Sequence, residues 1–206
     1  MERIGRIFKF MKENALECIV IKDVYTIRYL TGFTGDSSLL YADDRIAVLI
    51  TDGRYTEQAR SELKYCRVME YKANHNNSIW EAVAGLTGSH LKMGFDGNVF
   101  SYEDARALRE QLPQTVEMIS VDLRGLRLVK DERELENLWQ AHKIADAAFE
   151  RLLKEIKSGM TERNWQPAWN TICAAWVRKG FPSTPSWPRA IAARCLTGRQ
   201  RTRPLK

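Results

Sequence analysis

The sequence predicts an α/β sandwich built on a mixed sheet. Three observations lead there. Short apolar runs bounded by charged or turn residues alternate with segments whose apolar residues recur at helical spacing. One pair of runs is joined only through Asp43 and Asp44, which places a hairpin inside an otherwise alternating order. The alternation fills about 125 residues, an ordinary domain size.

The elements follow in chain order. IGRIFKFMKENAL at 4–16 sets Ile4, Ile7, Phe8, Met11 and Leu16 near one helical face. ECIVIKD is a short apolar run between charges and reads as a buried strand. VYTIRYLTGFTG reads as a short helical turn, with Gly32 and Gly35 free to take positive φ and stop it. SSLLYADDRIAVLITDGRYTEQARSEL reads as strand, turn at Asp43 and Asp44, strand, turn at Asp52 and Gly53, then helix. RVMEY is a strand, SIWEAVAGL a helix and LKMGFD a strand. SYEDARALREQL is a helix opened by Ser101 with Asp104 as capping-box partner, and VEMIS is the last strand.

The character changes at Val129. One long helix is predicted over 131–158, with Asp131 and Glu134 as capping pair and Gly159 as terminator. Leu135, Leu138, Ile144, Phe149, Leu152 and Ile156 are assigned to its apolar face. The expected organisation is an α/β domain over 1–127, the start of a second domain over 128–163, and a poorly ordered tail over 164–206.

Composition narrows the function classes. No run of about 18 apolar residues is present to cross a bilayer. Met1 to Lys12 lacks the apolar core of a signal peptide, so a cytoplasmic location is expected. Cys18, Cys66, Cys173 and Cys195 form no C-x-x-C pair and have no His at ligand spacing, so they read as reduced thiols rather than a zinc site or disulfide scaffold. His75, His90 and His142 are isolated and read as surface or helix residues.

The net charge of +6 is unevenly placed. Through Arg163 the chain carries 24 basic against 26 acidic residues, a balance of −2, and the remainder carries 8 basic residues with no Asp, Glu or His. That tail also holds Trp165, Trp169, Trp176 and Trp187 and five of the 6 prolines. A basic arm with aromatic residues suits phosphate pairing and base stacking, so a nucleic-acid-binding tail is one reading of it.

YTIRYLTGFTG at 25–35, AVLITDGRYTEQA at 47–59, and LRLVKDERELENLWQAHKIADAAF followed by GMTE together resemble the Xaa-Pro aminopeptidase and prolidase family, from about Leu16 to Glu162 and in the family's own order. The resemblance implies a three-layer creatinase/prolidase-type N-terminal domain with a mixed sheet, followed by the first helix of a "pita-bread" catalytic domain that is incomplete here. It implies a domain that shapes access and subunit contacts, a homo-oligomeric parent, and hydrolysis of the bond before proline in peptide substrates. The parent's cofactor would be two divalent ions, often manganese, held by two Asp, one His and two Glu that all fall after GMTE; bridged metals supply hydroxide near neutral pH. In this family the neighbouring subunit's N-terminal domain can border the active site. Phe33, Asp36, Arg54 and Tyr55, on turns, are therefore the candidate substrate-access or subunit-contact residues, and a non-catalytic binding module that associates with itself or with a full-length paralogue through the α/β domain is a second reading of the chain. The plainer reading stands beside it: TDGRY as a strand-to-helix turn, Arg54 solvated, and Phe33 in the core.

After GMTE the family continues with a helix resembling E-L-A-A-x-L-E-Y-x-M-R-x-x-G, then S-F-D-T-I-V-A-S-G and P-H-G. The chain has NWQPAWNTICAAWVRKGFPSTPSWPRAIAARCLTG instead. Joining the third base of each codon to the first two of the next forces Leu at the Asn164–Trp165 junction, Ala at Trp165–Gln166, Glu at Trp169–Asn170, Gly at Trp176–Val177 and Ala at Trp187–Pro188. Asn170–Thr171 gives Tyr or His, Ile172–Cys173 Leu or Met, and Cys173–Ala174 Arg or Cys. Phe181 through Arg194 permits S-F-D-T-I-V-A-S-G, and Arg194 to Gly198 permits A-L-P-H-G or close variants. The tail thus reads as the family's sequence one base out of register. A tail without carboxylate or imidazole side chains cannot supply a metal pair, so the chain is expected to hold no metal or other cofactor and to have no catalytic residues of its own.

Overall fold

The computed structural model describes residues 3–72 and 79–155. The chain divides into two compact units, Met1–Val129 and Lys130–Lys206. The GMTE motif, Gly159, the proposed tail and His75 lie outside the described residues, as do the side chains of Leu152 and Ile156.

The first unit is a mixed α/β sandwich. Its helices are α1 (Ile4–Glu13), α2 (Val24–Thr31), α3 (Thr56–Glu62), α4 (Ile79–Thr87) and α5 (Tyr102–Gln111); its strands are β1 (Cys18–Ile21), β2 (Ser38–Asp43), β3 (Ala47–Thr51), β4 (Arg67–Glu70), β5 (Lys92–Asp96) and β6 (Glu117–Val121). The six strands form one sheet in the order β4-β3-β2-β1-β5-β6. β1–β2 and β2–β3 pair antiparallel, whereas β1–β5, β3–β4 and β5–β6 pair parallel. The hairpin β2–β3 is what makes the sheet mixed, as predicted.

Alternation along the strands builds two cores. Ile19, Ile21, Leu40 and Leu49 point to the side covered by Ile7 and Met11 of α1, Ile27 and Leu30 of α2 and Ala59 of α3. Cys18, Val20, Tyr41, Val48 and Ile50 point to the other, where Val83 of α4 and Leu108 of α5 pack. β1, β2 and β3 are buried throughout, which explains why they read as continuous apolar runs. The result is the three-layer arrangement expected.

Local chemistry sets the ends. α1 stops three residues before the predicted limit because Ala15 takes a left-handed φ of 51° and the Leu16 N–H reaches back to the Met11 carbonyl at 2.9 Å, a Schellman closure. Asp23 caps α2 by accepting the Thr26 N–H at 2.9 Å, and Gly32 at φ 83° ends it. Gly35 departs from expectation, since only Gly32 and Gly88 have positive φ among the described glycines. Its need is close packing: a Cβ there would lie 2.4 Å from Phe33 Cζ. The turn into β3 is held by Asp43 Oδ1, which accepts the N–H groups of Arg45 and Ile46 at 2.8 Å each.

Both capping-box hydrogen bonds between Ser101 and Asp104 are present at the start of α5, and Asp104 also pairs with Lys22 at 2.6 Å, tying the helix to the end of β1. Replacing Ser101 by Ala will cost about 1 kcal/mol, read as a lowered urea midpoint without a change in slope. A 3₁₀ turn at Arg124–Arg127, unmarked in the sequence pattern, closes the unit; Arg127 reaches Asp23 at 3.1 Å.

Beyond it lies α6 (Glu132–Glu155). Its capping pair is formed, Asp131 Oδ1 accepting the Glu134 N–H at 2.9 Å and Glu134 Oε2 accepting the Asp131 N–H at 3.0 Å. The single apolar face assigned from the sequence is divided: Leu135, Leu138 and Phe149 are exposed, while Ile144, half-buried, lies on the opposite side of the helix. The assignment joined residues whose angular positions differ by about half a turn at 100° per residue. Among the described residues no helix is long and apolar enough to cross a membrane.

Candidate contact surface at the α2–β2 and β3–α3 turns

The four residues singled out in the sequence meet in space. The chain leaves α2 through Gly32, and Thr31 Oγ1 accepts the Phe33 N–H at 3.1 Å while donating to the Ile27 carbonyl at 2.7 Å. Phe33 is thereby turned inward and is fully buried. Its ring meets that of Tyr55 edge-on, with centroids 6.3 Å apart and planes at 83°. Gly35 passes over both rings, and this close approach excludes any side chain at that position.

Tyr55 lies at the start of α3, where its hydroxyl donates to Asp36 Oδ1 at 2.6 Å. That bond favours the neutral phenol and raises the Tyr55 pKa. Arg54 stands over the Tyr55 ring at 5.5 Å and faces solvent. Beneath it Asp52 forms an Asx turn and a fork with the same residue: Oδ1 accepts the Arg54 N–H at 2.9 Å and Nε–H at 3.1 Å, and Oδ2 accepts from Nη2 at 2.7 Å. Ser37 donates to the same carboxylate at 3.1 Å.

The Arg54 side-chain bonds, helped by its N–H and Ser37, outweigh an opposing burial effect and hold Asp52 at about 2. The folded-state pKa is thus below the unfolded value of about 4. The stabilisation is complete above the unfolded pKa and is lost as pH falls from about 4 through about 2. Arg54→Ala will return the Asp52 carboxyl to the usual range in an NMR titration of the side-chain carboxyl carbons; an unmoved Asp52 would show that the fork is not the cause.

The sequence reading omitted the polar ring around these four residues. Glu62 on α3 accepts the Thr34 N–H at 2.8 Å and hydroxyl at 2.6 Å, and Gln58 donates to Thr34 Oγ1 at 2.7 Å and to Glu62 at 3.0 Å. Partial burial pushes the Glu62 carboxyl up, but these Thr34 and Gln58 bonds outweigh it and lower the pKa. The i, i+4 pair Gln58 and Glu62 was the available signal; their partner on another turn was not. On the other side Thr56 Oγ1 donates to Glu70 at 2.9 Å, and Asp52, Gly53, Arg54, Glu70, Tyr71 and Lys72 line an open depression.

This arrangement presents a guanidinium, a phenol and hydrogen-bonded carboxylates together on the two turns. The described residues do not fit a two-metal centre, since among them no group of three or more His, Cys, Asp and Glu side chains is placed to hold an ion. His90 lies 3.7 Å from both Glu17 and Asp43, yet those carboxylates already accept backbone N–H groups from Leu91 and from Arg45 and Ile46.

Comparison with known proteins agrees with this architecture. The family model of the creatinase/prolidase N-terminal domain matches residues 3–129. The uncharacterized peptidase YqhT of Bacillus subtilis is 32% identical over 166 residues, covering 79% of this chain and 45% of that protein. The solved structure of an Xaa-Pro dipeptidase from Bacillus anthracis superposes with a TM-score of 0.77 at 27% identity, covering 85% of this chain and 49% of that one. The N-terminal domain of the cytoplasmic peptidase PepQ from Mycobacterium tuberculosis gives a TM-score of 0.55 at 29% identity, covering 61% of this chain and 98% of that one. The chain spans about half the length of the curated relatives it matches first.

Proposed function

The chain belongs to the creatinase/prolidase N-terminal domain family, and from that premise we propose that it is the entrance-forming part of an Xaa-Pro peptidase, without hydrolytic activity of its own. The observation that carries this reading is the extent of the match: the N-terminal domain is matched over residues 3–129, and the peptidases it resembles are about twice as long as the stretch they share with it. In the intact parent, catalysis resides in the remaining half with its divalent metal ions, and the substrates are proline-containing peptides.

The segment after Arg163 is part of the proposal. It is the family's catalytic-domain sequence translated one base out of register, which accounts for its tryptophans and for its lack of Asp, Glu and His. The register argument favours this over a nucleic-acid-binding arm, which accounts for the composition of the tail but not for the codon register. The test is hydrolysis of an Xaa-Pro dipeptide and a longer Xaa-Pro peptide by the purified chain with added manganese. No turnover above buffer is expected; turnover that scales with this chain and is removed by a chelator overturns the reading.

Asp36, Arg54 and Tyr55 form the proposed contact surface toward the substrate entrance or a neighbouring subunit, with Phe33 as its buried support. Their support is the hydrogen-bonded ring that fixes them on turns and leaves the Arg54 head in solvent. A cytoplasmic location belongs to the same proposal.

A further inference from the structure

Residues 34–37, between α2 and β2, are held differently from the rest of the first unit. Among the described residues no backbone-to-backbone hydrogen bond reaches them. Side chains hold them instead, and all of those bonds run to one stretch of chain, residues 51–62 at the end of β3 and along α3. Thr34 bonds to Glu62 and Gln58, Asp36 to Tyr55, and Ser37 to Asp52 through its hydroxyl and to Thr51 through its carbonyl. A segment with no ladder or helix bond of its own opens when a few side-chain bonds let go.

Glu62 makes the firmest of these attachments. Its two oxygens take both donors of Thr34, the N–H at 2.8 Å and the hydroxyl at 2.6 Å, and hydrogen bonds to a charged acceptor are roughly twice as strong as neutral ones. Gln58 braces the pair by donating to Thr34 Oγ1 at 2.7 Å and to Glu62 Oε1 at 3.0 Å. Asp36 has one such bond, from Tyr55, and the Ser37 hydroxyl shares the Asp52 carboxylate with Arg54. Glu62 makes no hydrogen bond to Asp36 or Tyr55. The link between them is backbone: Thr34 stands two residues before Asp36, and Gly35 between them packs against the rings of Phe33 and Tyr55.

We propose that residues 34–37 form a strap that opens and shuts as one piece, and that Glu62 is its latch, a positioning residue that sets Asp36 against Tyr55 through the intervening backbone. The inference rests on the reading of Asp36, Arg54 and Tyr55 as a contact surface and gives that surface two states. With the strap shut, the Asp36 carboxylate and the Tyr55 hydroxyl satisfy each other. With it open, both are released to a partner. Buried Phe33 anchors one end and the pairing of Ser38 with Thr51 anchors the other, so the movement is confined to four residues.

The test is NMR on the full 206-residue chain, without peptide or metal, with two readouts. Backbone order parameters of residues 34–37 report the strap, and titration of the Tyr55 ring reports Asp36, because the bond from Tyr55 to Asp36 raises the Tyr55 pKa. In Glu62→Ala the order parameters will fall together from about 0.85 to below about 0.6, and Tyr55 will titrate closer to the ordinary value of about 10. Glu62→Gln keeps one acceptor oxygen and will lie between the two. Thr34→Ala cuts the hydroxyl bonds from the loop side, leaves α3 unchanged, and will move both readouts the same way by less; it carries the test alone if Glu62→Ala does not fold.

A Tyr55 titration unmoved in these variants, with loosening confined to Thr34, overturns the proposal, since Glu62 would then be a local contact only. So does loosening of all four residues in Tyr55→Phe but not in Glu62→Ala, which would place the latch at the other end. Neither readout involves turnover, so hydrolysis by the chain would remove the functional reading and leave the strap standing, and a failed strap leaves the functional reading untouched.

Discussion

Shifting the reading frame by one nucleotide after codon 163 is expected to give a product that hydrolyses Xaa-Pro bonds, where the present chain is proposed to hydrolyse none. This is the largest effect expected, because enzymes commonly accelerate their reactions by 10⁶-fold or more and the unshifted chain is proposed to supply none of it. The physical basis is the supply of side chains. After Glu162 the chain has no Asp, Glu or His, and the described residues before it bring no three such groups together for a metal. In the shifted frame the forced Glu at the Trp169–Asn170 junction begins to restore carboxylates, and the permitted S-F-D and P-H-G stretches add Asp and His. The measurement is the nucleotide sequence around codon 163, then manganese-dependent hydrolysis by the shifted product. A shifted product that folds and remains inactive, or a shifted frame that fails to spell the family's helix and strand, removes this part of the proposal.

Phe33→Ala will be the most damaging single change in the α/β unit tested at the contact surface, costing about 3–5 kcal/mol. Phe33 is fully buried, packs edge-on to Tyr55 and lies under the backbone of Gly35. Removing the ring leaves a cavity that rigid turns on both sides cannot close, and it releases the residue that aims the Tyr55 hydroxyl at Asp36. With native stability of about 5–15 kcal/mol, the loss is a large share of the total. Phe33→Leu will cost less than about 1.5 kcal/mol, and Tyr55→Phe only about 0.5–1.5 kcal/mol, because it deletes one hydrogen bond and keeps the ring. Urea unfolding of the three variants checks the order. If Phe33→Ala unfolds at the native midpoint, Phe33 is not the support of this surface.

The contrast within the candidate set shows what was legible from sequence. Arg54 and Asp36 are exposed as turn residues ordinarily are, and the D-G-R order by itself predicts the Asx turn that joins Asp52 to Arg54. Phe33 could be read either as a surface contact or as core, since one apolar residue between two glycines has no periodicity to place it. The answer came from Thr31 and Gly35, which turn the ring inward and cover it. Gly35 itself was read as a positive-φ position, because spacing cannot distinguish a glycine needed for its backbone angle from one needed for its missing Cβ.

The sequence by itself determined the order and kind of the six strands and five α-helices described in the first unit, though not its 3₁₀ turn, together with the capping pairs Ser101–Asp104 and Asp131–Glu134, the mixed character of the sheet, and the family. All of these rest on local periodicity and short-range hydrogen bonds, which contiguous residues encode. Only the tertiary structure decided that β1 lies between β2 and β5, that Glu62 and Gln58 on α3 hold Thr34 on another turn, and that Leu135, Trp139, Phe149 and Leu153 of α6 are exposed along one stripe while Ile144 lies behind them. Those facts depend on which distant surfaces meet, and the free energy that selects them comes from burial summed over many residues far apart in the chain.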